Sequence, residues 1–127
     1  MSDQPMKKVL ICDDNPLIIE SISYAVRKAG LTCLTAQDGE QAIMTAQNEL
    51  PQLMFLDISM PKYNGYEVCQ QLKTNNSTKD IYIVILTAHG QAEDAKKTAH
   101  AGANEYMTKP FSMKIIKQKL AMLVEPN

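Results

Sequence analysis

Short, nearly continuous apolar runs alternate along this chain with longer segments whose apolar residues recur every three or four positions. The runs lie at residues 8–12 (KVLIC), 31–35 (LTCLT), 52–56 (QLMFL), 81–86 (IYIVIL) and 105–107 (EYM). Each is bounded by Asp, Asn, Gly or Pro and reads as a strand. The first, third and fourth are almost wholly apolar, as strands covered on both faces are.

The segments between them read as helices. The first opens at Asp14-Asn15-Pro16, where Asp14 or Asn15 can cap and Pro16 suits the first turn. Ile18, Ile19, Ile22, Ala25, Val26 and Ala29 form its apolar stripe, and Gly30 stops it. A second helix starts near Asp38-Gly39-Glu40 and carries Ala42, Ile43, Ala46 and Leu50 before Pro51. A third runs from about residue 65 to 74 with Val68 and Leu72 inward. A fourth occupies roughly residues 91–101 and ends at Gly102. The last, residues 112–124, is capped by Ser112 and places Ile115, Ile116, Leu120 and Leu123 on one side.

Strand and helix alternate to the end, the pattern of an α/β fold with a parallel sheet between helical layers. No linker, low-complexity stretch or internal repeat interrupts it. The expectation is one domain over residues 1–127, with no output domain. Composition agrees: 45% hydrophobic and 21% charged residues in 127 describe an ordinary folded domain. The formal net charge of −1 argues against a dedicated nucleic-acid binder. No apolar run is long enough for a signal peptide or a membrane span. The three cysteines, Cys12, Cys33 and Cys69, lack metal-site spacing and read as small buried hydrophobes in a reducing compartment. A cytoplasmic location is the simplest expectation.

In open parallel sheets, ligands bind at the carboxyl ends of the strands. The first strand ends in Asp13-Asp14, the third in Asp57, the fourth in Thr87-Ala88, and Thr108-Lys109-Pro110 follows the fifth. Three carboxylates, a hydroxyl and an ammonium therefore converge on one edge. Joint ionisation of close carboxylates needs a compensating cation. Hard oxygen ligands suit Mg²⁺, leaving Thr87 and Lys109 for phosphoryl oxygens. The group reads as a phosphoryl-transfer site. Singly, each residue has a plainer reading: a cap for Asp13-Asp14, a strand end for Asp57, a turn for Thr87, a surface lysine for Lys109.

The segments VLICDDNP, LMFLDISMPKYNGYEV, VILTAHG and GANEYMTKPF, in this order, resemble the receiver domain of two-component response regulators, a CheY-like family. The resemblance covers about residues 7–124. It implies a flavodoxin-like (βα)5 sheet of strand order 2-1-3-4-5. It implies that Asp57 is the phosphoacceptor, served by a phosphohistidine of a sensor histidine kinase or histidine phosphotransfer protein. Asp13, Asp14, Asp57 and the backbone carbonyl of Ser59 would hold Mg²⁺. Thr87 and Lys109 would bind the phosphoryl group, with Thr87 and Tyr106 as the switch pair. The bond between Lys109 and Pro110 would be cis, a state common only before proline.

Asn64 departs from the Asp that many members have there but still suits a turn or cap. Ser59 and His89 stand at positions that vary in the family and flank the attacking water, so they bear on phosphoryl lifetime. His100 reads as a surface residue, and Lys114, Lys117 and Lys119 as a solvated helix face or a docking patch.

The function expected is a phosphorylation-dependent switch. It catalyses only its own phosphorylation and dephosphorylation and is otherwise not an enzyme. It would act through a protein partner or a homodimer, using the last two helices and last strand (Gln91, Ala92, Ala95 and Tyr106 among them), with no direct nucleic acid and no membrane. The alternatives are a small Mg²⁺-dependent phosphatase using Asp57, or a receiver-like module that no longer signals by phosphate. The kinase, output partner and pathway are not readable from the residues.

Overall fold

The computed structural model describes residues 7–88 and 92–124, with the side chains of 92–94 outside that description. Its elements are β1 (Lys8–Cys12), α1 (Pro16–Lys28), β2 (Thr32–Ala36), α2 (Gly39–Glu49), β3 (Leu53–Asp57), α3 (Gly65–Lys73), β4 (Tyr82–Thr87), α4 (Ala92–Ala101), β5 (Glu105–Thr108) and α5 (Met113–Val124). The strands form one parallel sheet of order β2-β1-β3-β4-β5. Strands β2 to β5 each run one residue further at the carboxyl end than the apolar runs predict. Asp57 and Thr87 are thus strand residues, held by the ladder, and not loop residues.

Alternate residues of the central strands feed two separate cores. Leu10, Met54, Leu56, Ile83 and Ile85 pack with Ala42, Val68, Leu72 and Ala101 from α2, α3 and α4. Val9, Ile11, Phe55, Val84 and Leu86 pack with Ile22, Val26, Ile116 and Leu120 from α1 and α5. Every residue of β3 is buried, as its apolar run requires. Cys12 and Cys69 are buried and Cys33 is half-buried; all three are free thiols.

Helix starts follow side-chain capping. Asn15, not Asp14, caps α1, its side chain accepting from the Leu17 N–H at 2.9 Å. Asp38 caps α2, accepting from the Gln41 N–H at 2.8 Å. Asn64 and Glu67 form a reciprocal capping box at α3.

Three expected placements differ. Leu50 is not part of the inner stripe: it is 48% exposed and left-handed, with φ 50°. Pro51 disfavours a right-handed helical residue before it, so the helix ends there. Ile115 is 42% exposed, because Ile116 and Leu120 take the core side of α5. Lys119 is not on a solvated face with Lys114 and Lys117; it is mostly buried and ion-paired to Glu105.

Two polar clusters tie the lower ends of these elements. The Lys73 ammonium donates to the carbonyls of Lys79 (3.1 Å) and Ile81 (2.6 Å) and to Asn104 Oδ1 (2.8 Å). Three donors meet three acceptors, and Asn104 Oδ1 also accepts from the Ile83 N–H at 2.8 Å. Burial lowers the Lys73 pKa. Lys73→Met is expected to destabilise the domain by about 1–3 kcal/mol, since carbonyls lose their donor while the stem's packing stays. Urea unfolding measures this.

In the second cluster Glu105 accepts from both Tyr82 and Lys119. Burial works to raise the Glu105 pKa, but the bonds from Lys119 and Tyr82 outweigh it and hold the carboxyl below its usual range. The bond to Glu105 pushes the Tyr82 hydroxyl up to about 12. A depressed carboxyl pKa stabilises the fold in full above the ordinary glutamate range. That contribution is lost as pH falls through that range toward the lower folded value. Urea midpoints followed with pH are therefore expected to fall less steeply on the acid side in Glu105→Gln than in wild type.

Candidate functional site

The central strands deliver the acids. Asp13 directly follows β1; its backbone N–H donates to Ala36 O at 3.1 Å, and its Oδ1 accepts from the Asn15 N–H at 2.9 Å. Asp57 is the last residue of β3, paired in register with Leu86. β1 and β3 are neighbours, so the two carboxylates lie side by side. Lys109 arrives after β5, its backbone N–H donating to Thr87 O at 2.6 Å. The ammonium of Lys109 reaches Asp13 Oδ2 at 3.1 Å and Asp57 Oδ1 at 3.2 Å. The Ser59 N–H also donates to Asp57 Oδ1, at 3.3 Å.

Asp13 is fully buried and Asp57 3% exposed, whereas Asp14 is open to solvent. One carboxylate oxygen from each of the three lies within 4.8 Å of the others. Burial, then the charge of Asp13, pushes the Asp57 pKa up, against the pull of Lys109 and the Ser59 N–H. Burial works to lower the Lys109 pKa, but its contacts with Asp13 and Asp57 outweigh it and hold it above its usual value. Three carboxylates against one ammonium leave an excess of negative charge, two of the acids being cut off from water. An all-oxygen donor set with an open side fits a small hard divalent cation such as Mg²⁺. Among the described residues, sulfur and imidazole donors are not part of the group.

Thr87 ends β4 and is buried, on the strand next to Asp57. Tyr106 lies on β5, paired with Ile85, and is 36% exposed. The peptide bond between Lys109 and Pro110 is cis. Ser59 sits in the turn after β3. Ala95 is half-buried and His100 exposed on α4. His89, Gln91 and the Ala92 side chain lie outside the described residues.

Two glycines contribute what residue chemistry does not reveal. A Cβ on Gly65 would stand 2.7 Å from both Asp57 O and Ile58 Cα, so only glycine lets α3 start against the Asp57 backbone. The Gly65 N–H donates to Ile58 O at 3.2 Å. A Cβ on Gly39 would stand 2.7 Å from Tyr63 Cβ. The Gly39 N–H donates to Pro61 O at 3.1 Å, fastening the loop after Asp57 to the start of α2. The one sequence signal was that each glycine follows a helix-capping Asp or Asn.

Residues 9–121 match the family model described as the response regulator receiver domain. The alkaline phosphatase synthesis transcriptional regulatory protein PhoP of Bacillus subtilis is 36% identical over 118 residues, 93% of this chain and 48% of that protein. The phosphate regulon transcriptional regulatory protein PhoB of Pseudomonas aeruginosa is 39% identical over 106 residues, 84% of this chain and 46% of that protein. The chain thus spans about half the length of these curated relatives. Among solved structures, the chemotaxis response regulator CheY4 of Vibrio cholerae matches with a TM-score of 0.86 and 28% identity, covering 94% of this chain and all of that one. The DrrB receiver domain of Thermotoga maritima, solved in a BeF3-activated form, matches with a TM-score of 0.82 and 27% identity over 96% of this chain and all of that one.

The relatives correct one expectation in part. They are named as transcriptional regulators, and RpaA of Synechocystis, 38% identical over 108 residues (85% of this chain, 45% of that protein), is named as DNA-binding. The expected absence of nucleic acid rested on the near-neutral charge of this stretch, which does not speak for proteins about twice its length. Among the described residues no helix is long and apolar enough to cross a membrane. The matching residues run through all five strands and across the Asp13–Asp57–Lys109 cluster: the chain belongs to the response regulator receiver domain family of two-component systems.

Proposed function

We propose that this receiver accepts a phosphoryl group on Asp57 from a phosphohistidine of a sensor kinase or phosphotransfer protein. The observation that carries this reading is the Lys109 ammonium held 3.1 Å from Asp13 and 3.2 Å from Asp57 at the carboxyl edge of the sheet. An Asp57 carboxylate oxygen attacks phosphorus as the bond from phosphorus to the donor imidazole nitrogen breaks. With the donor ring protonated at its other nitrogen, the imidazole leaves as neutral histidine and the other product is the acyl phosphate on Asp57. Asp13, Asp14, Asp57 and the Ser59 carbonyl would hold Mg²⁺, which when bound neutralises charge on the phosphoryl oxygens. Lys109, already poised on Asp57, follows the charge onto the phosphoryl group, and the Thr87 hydroxyl takes another of its oxygens. Asn15 and Ser59 fix the carboxylates through their backbone N–H groups. The BeF3-activated form of the DrrB receiver supports the same chemistry here.

The phosphoryl group adds about −1.5 to −2 charge beside Asp13. Thr87 and Tyr106 would relay it to α4, β5 and α5, where a partner protein or a second copy binds. Exposed Ile115 and Met122, seven residues apart on α5, supply apolar contact area for such a surface. The relatives' names as transcriptional regulators support gene control as the output.

Acetyl phosphate with Mg²⁺ is expected to add one phosphoryl mass to wild type and none to Asp57→Asn, read by intact-protein mass spectrometry. Equal labelling of both would sink the assignment. The same substitution removes a buried charge that Asp13 opposes, so it is also expected to raise the thermal midpoint. Tyr106→Ala is expected to accept phosphate as wild type does, yet to lose the amide shift changes that beryllofluoride produces around Ile115 and Lys119.

A further inference from the structure

A groove of about 540 Å³ lies between α3 and α4, apart from the acidic cluster and from the surface of β5 and α5. Tyr66, Glu67 and Gln70 line it from α3, and Lys96, Lys97 and His100 from α4. Its floor is apolar: Ala101 is buried there, and the half-buried Tyr66 packs onto the core beneath. The rim is cationic. Lys8, Lys62, Lys109 and Lys119 are each ion-paired, but Lys96 and Lys97 have no ion-pair partner among the described residues. Among the described residues one acid lines the groove, Glu67, whose Oε1 accepts from the Asn64 N–H at 3.0 Å in the capping box. Glu93 and Asp94 precede Lys97 by one turn, and their side chains lie outside the described residues.

We propose that this groove docks a short acidic segment of a partner protein. An apolar or aromatic side chain of that segment would rest on Tyr66, with its carboxylates on Lys96 and Lys97 and an acceptor on His100. Such a site combines an apolar seat with complementary rim charge, which steers the encounter and fixes register.

The position gives the occupant influence over the switch, a step that rests on the receiver reading. α3 begins on the loop from Asp57, through the bond from Gly65 N–H to Ile58 O. α4 follows the loop from Thr87. A segment spanning both helices bridges the two flanks of the site. On α4 the Thr98 hydroxyl is buried with no hydrogen-bond partner among the described residues. A shift of α4 can relieve that penalty. Linkage then requires that beryllofluoride binding and docking alter each other's affinity by the same factor.

The test titrates the whole chain with a fluorescein-labelled acidic peptide carrying a central Phe, and maps the amide shifts. Saturable binding is expected, with shifts confined to residues 64–70 and 95–101. The pair Lys96→Glu and Lys97→Glu is expected to weaken binding about tenfold or more, and Lys114→Glu with Lys117→Glu to leave it unchanged. Lys96→Gln with Lys97→Gln decides the matter if the reversed pair fails to fold. Absence of saturable binding, shifts centred on β5 and α5, or equal loss in the two charge-reversed pairs overturns the proposal. So does peptide-free self-association through the same amides. Repeating the titration with beryllofluoride separates the two readings. An affinity that ignores it while amides near Asp57 respond overturns the coupling. No response near Asp57 overturns the proposed phosphorylation there and leaves the docking result standing.

Discussion

The site depends on one ammonium set between two buried carboxylates. Asp13 and Asp57 are withdrawn from water at the ends of adjacent strands, where their charges repel at short range in a weakly screening medium. Lys109 makes the pair tolerable by touching both. It reaches them from β5, two strands from β3 and three from β1, because its backbone is fastened to Thr87 on β4. Removing the compensating charge from a buried ion pair, here Lys109, typically costs about 3–5 kcal/mol, since the carboxylates left behind lose their counter-charge. The strand order is therefore an electrostatic requirement of the site as much as a packing solution.

Much of this was legible in the residues. Apolar runs without alternation marked strands covered on both faces, and the burial of all of β3 follows from that pattern. Acids, hydroxyl and lysine at successive strand ends marked the edge where chemistry gathers, because a parallel sheet aligns those ends. Caps were legible too, though Asp14 and Asn15 are chemically equivalent as candidates and only backbone geometry chose Asn15.

What stayed hidden depends on partners far away in sequence. Lys73 and Asn104 look like ordinary surface residues until the fold brings three acceptors around one ammonium. Lys119 stands about 200° round the helix from Lys117, on a different face, and Glu105 on β5 is the partner that takes it. Ile115 fits the apolar period of α5 as well as Ile116 does. The helix has one core-facing line, and Ile116 with Leu120 occupies it. Gly65 carries no chemistry at all, and its role appears only when an added Cβ is measured against the Asp57 carbonyl.

These constraints also decide which parts can respond to charge at Asp57. The backbone there is held to β4 twice, by the strand ladder and by the bond from Ile58 N–H to Leu86 O at 3.2 Å. Ahead of it, Gly65 clamps the start of α3 against the same peptide. Asp13 is pinned by Ala36 behind and by Asn15 in front. A new negative charge cannot be met by moving either acid. On the proposed reading the groups that come to it are Lys109, on its flexible stem, and the Thr87 hydroxyl. Tyr106 on β5 is partly exposed, and on α4 the Thr98 hydroxyl is buried with no hydrogen-bond partner among the described residues. In the proposed switch, the rigid frame around the acids and the helix beside them would act as complementary halves, since a charge can bias a two-state element only where the second arrangement costs little.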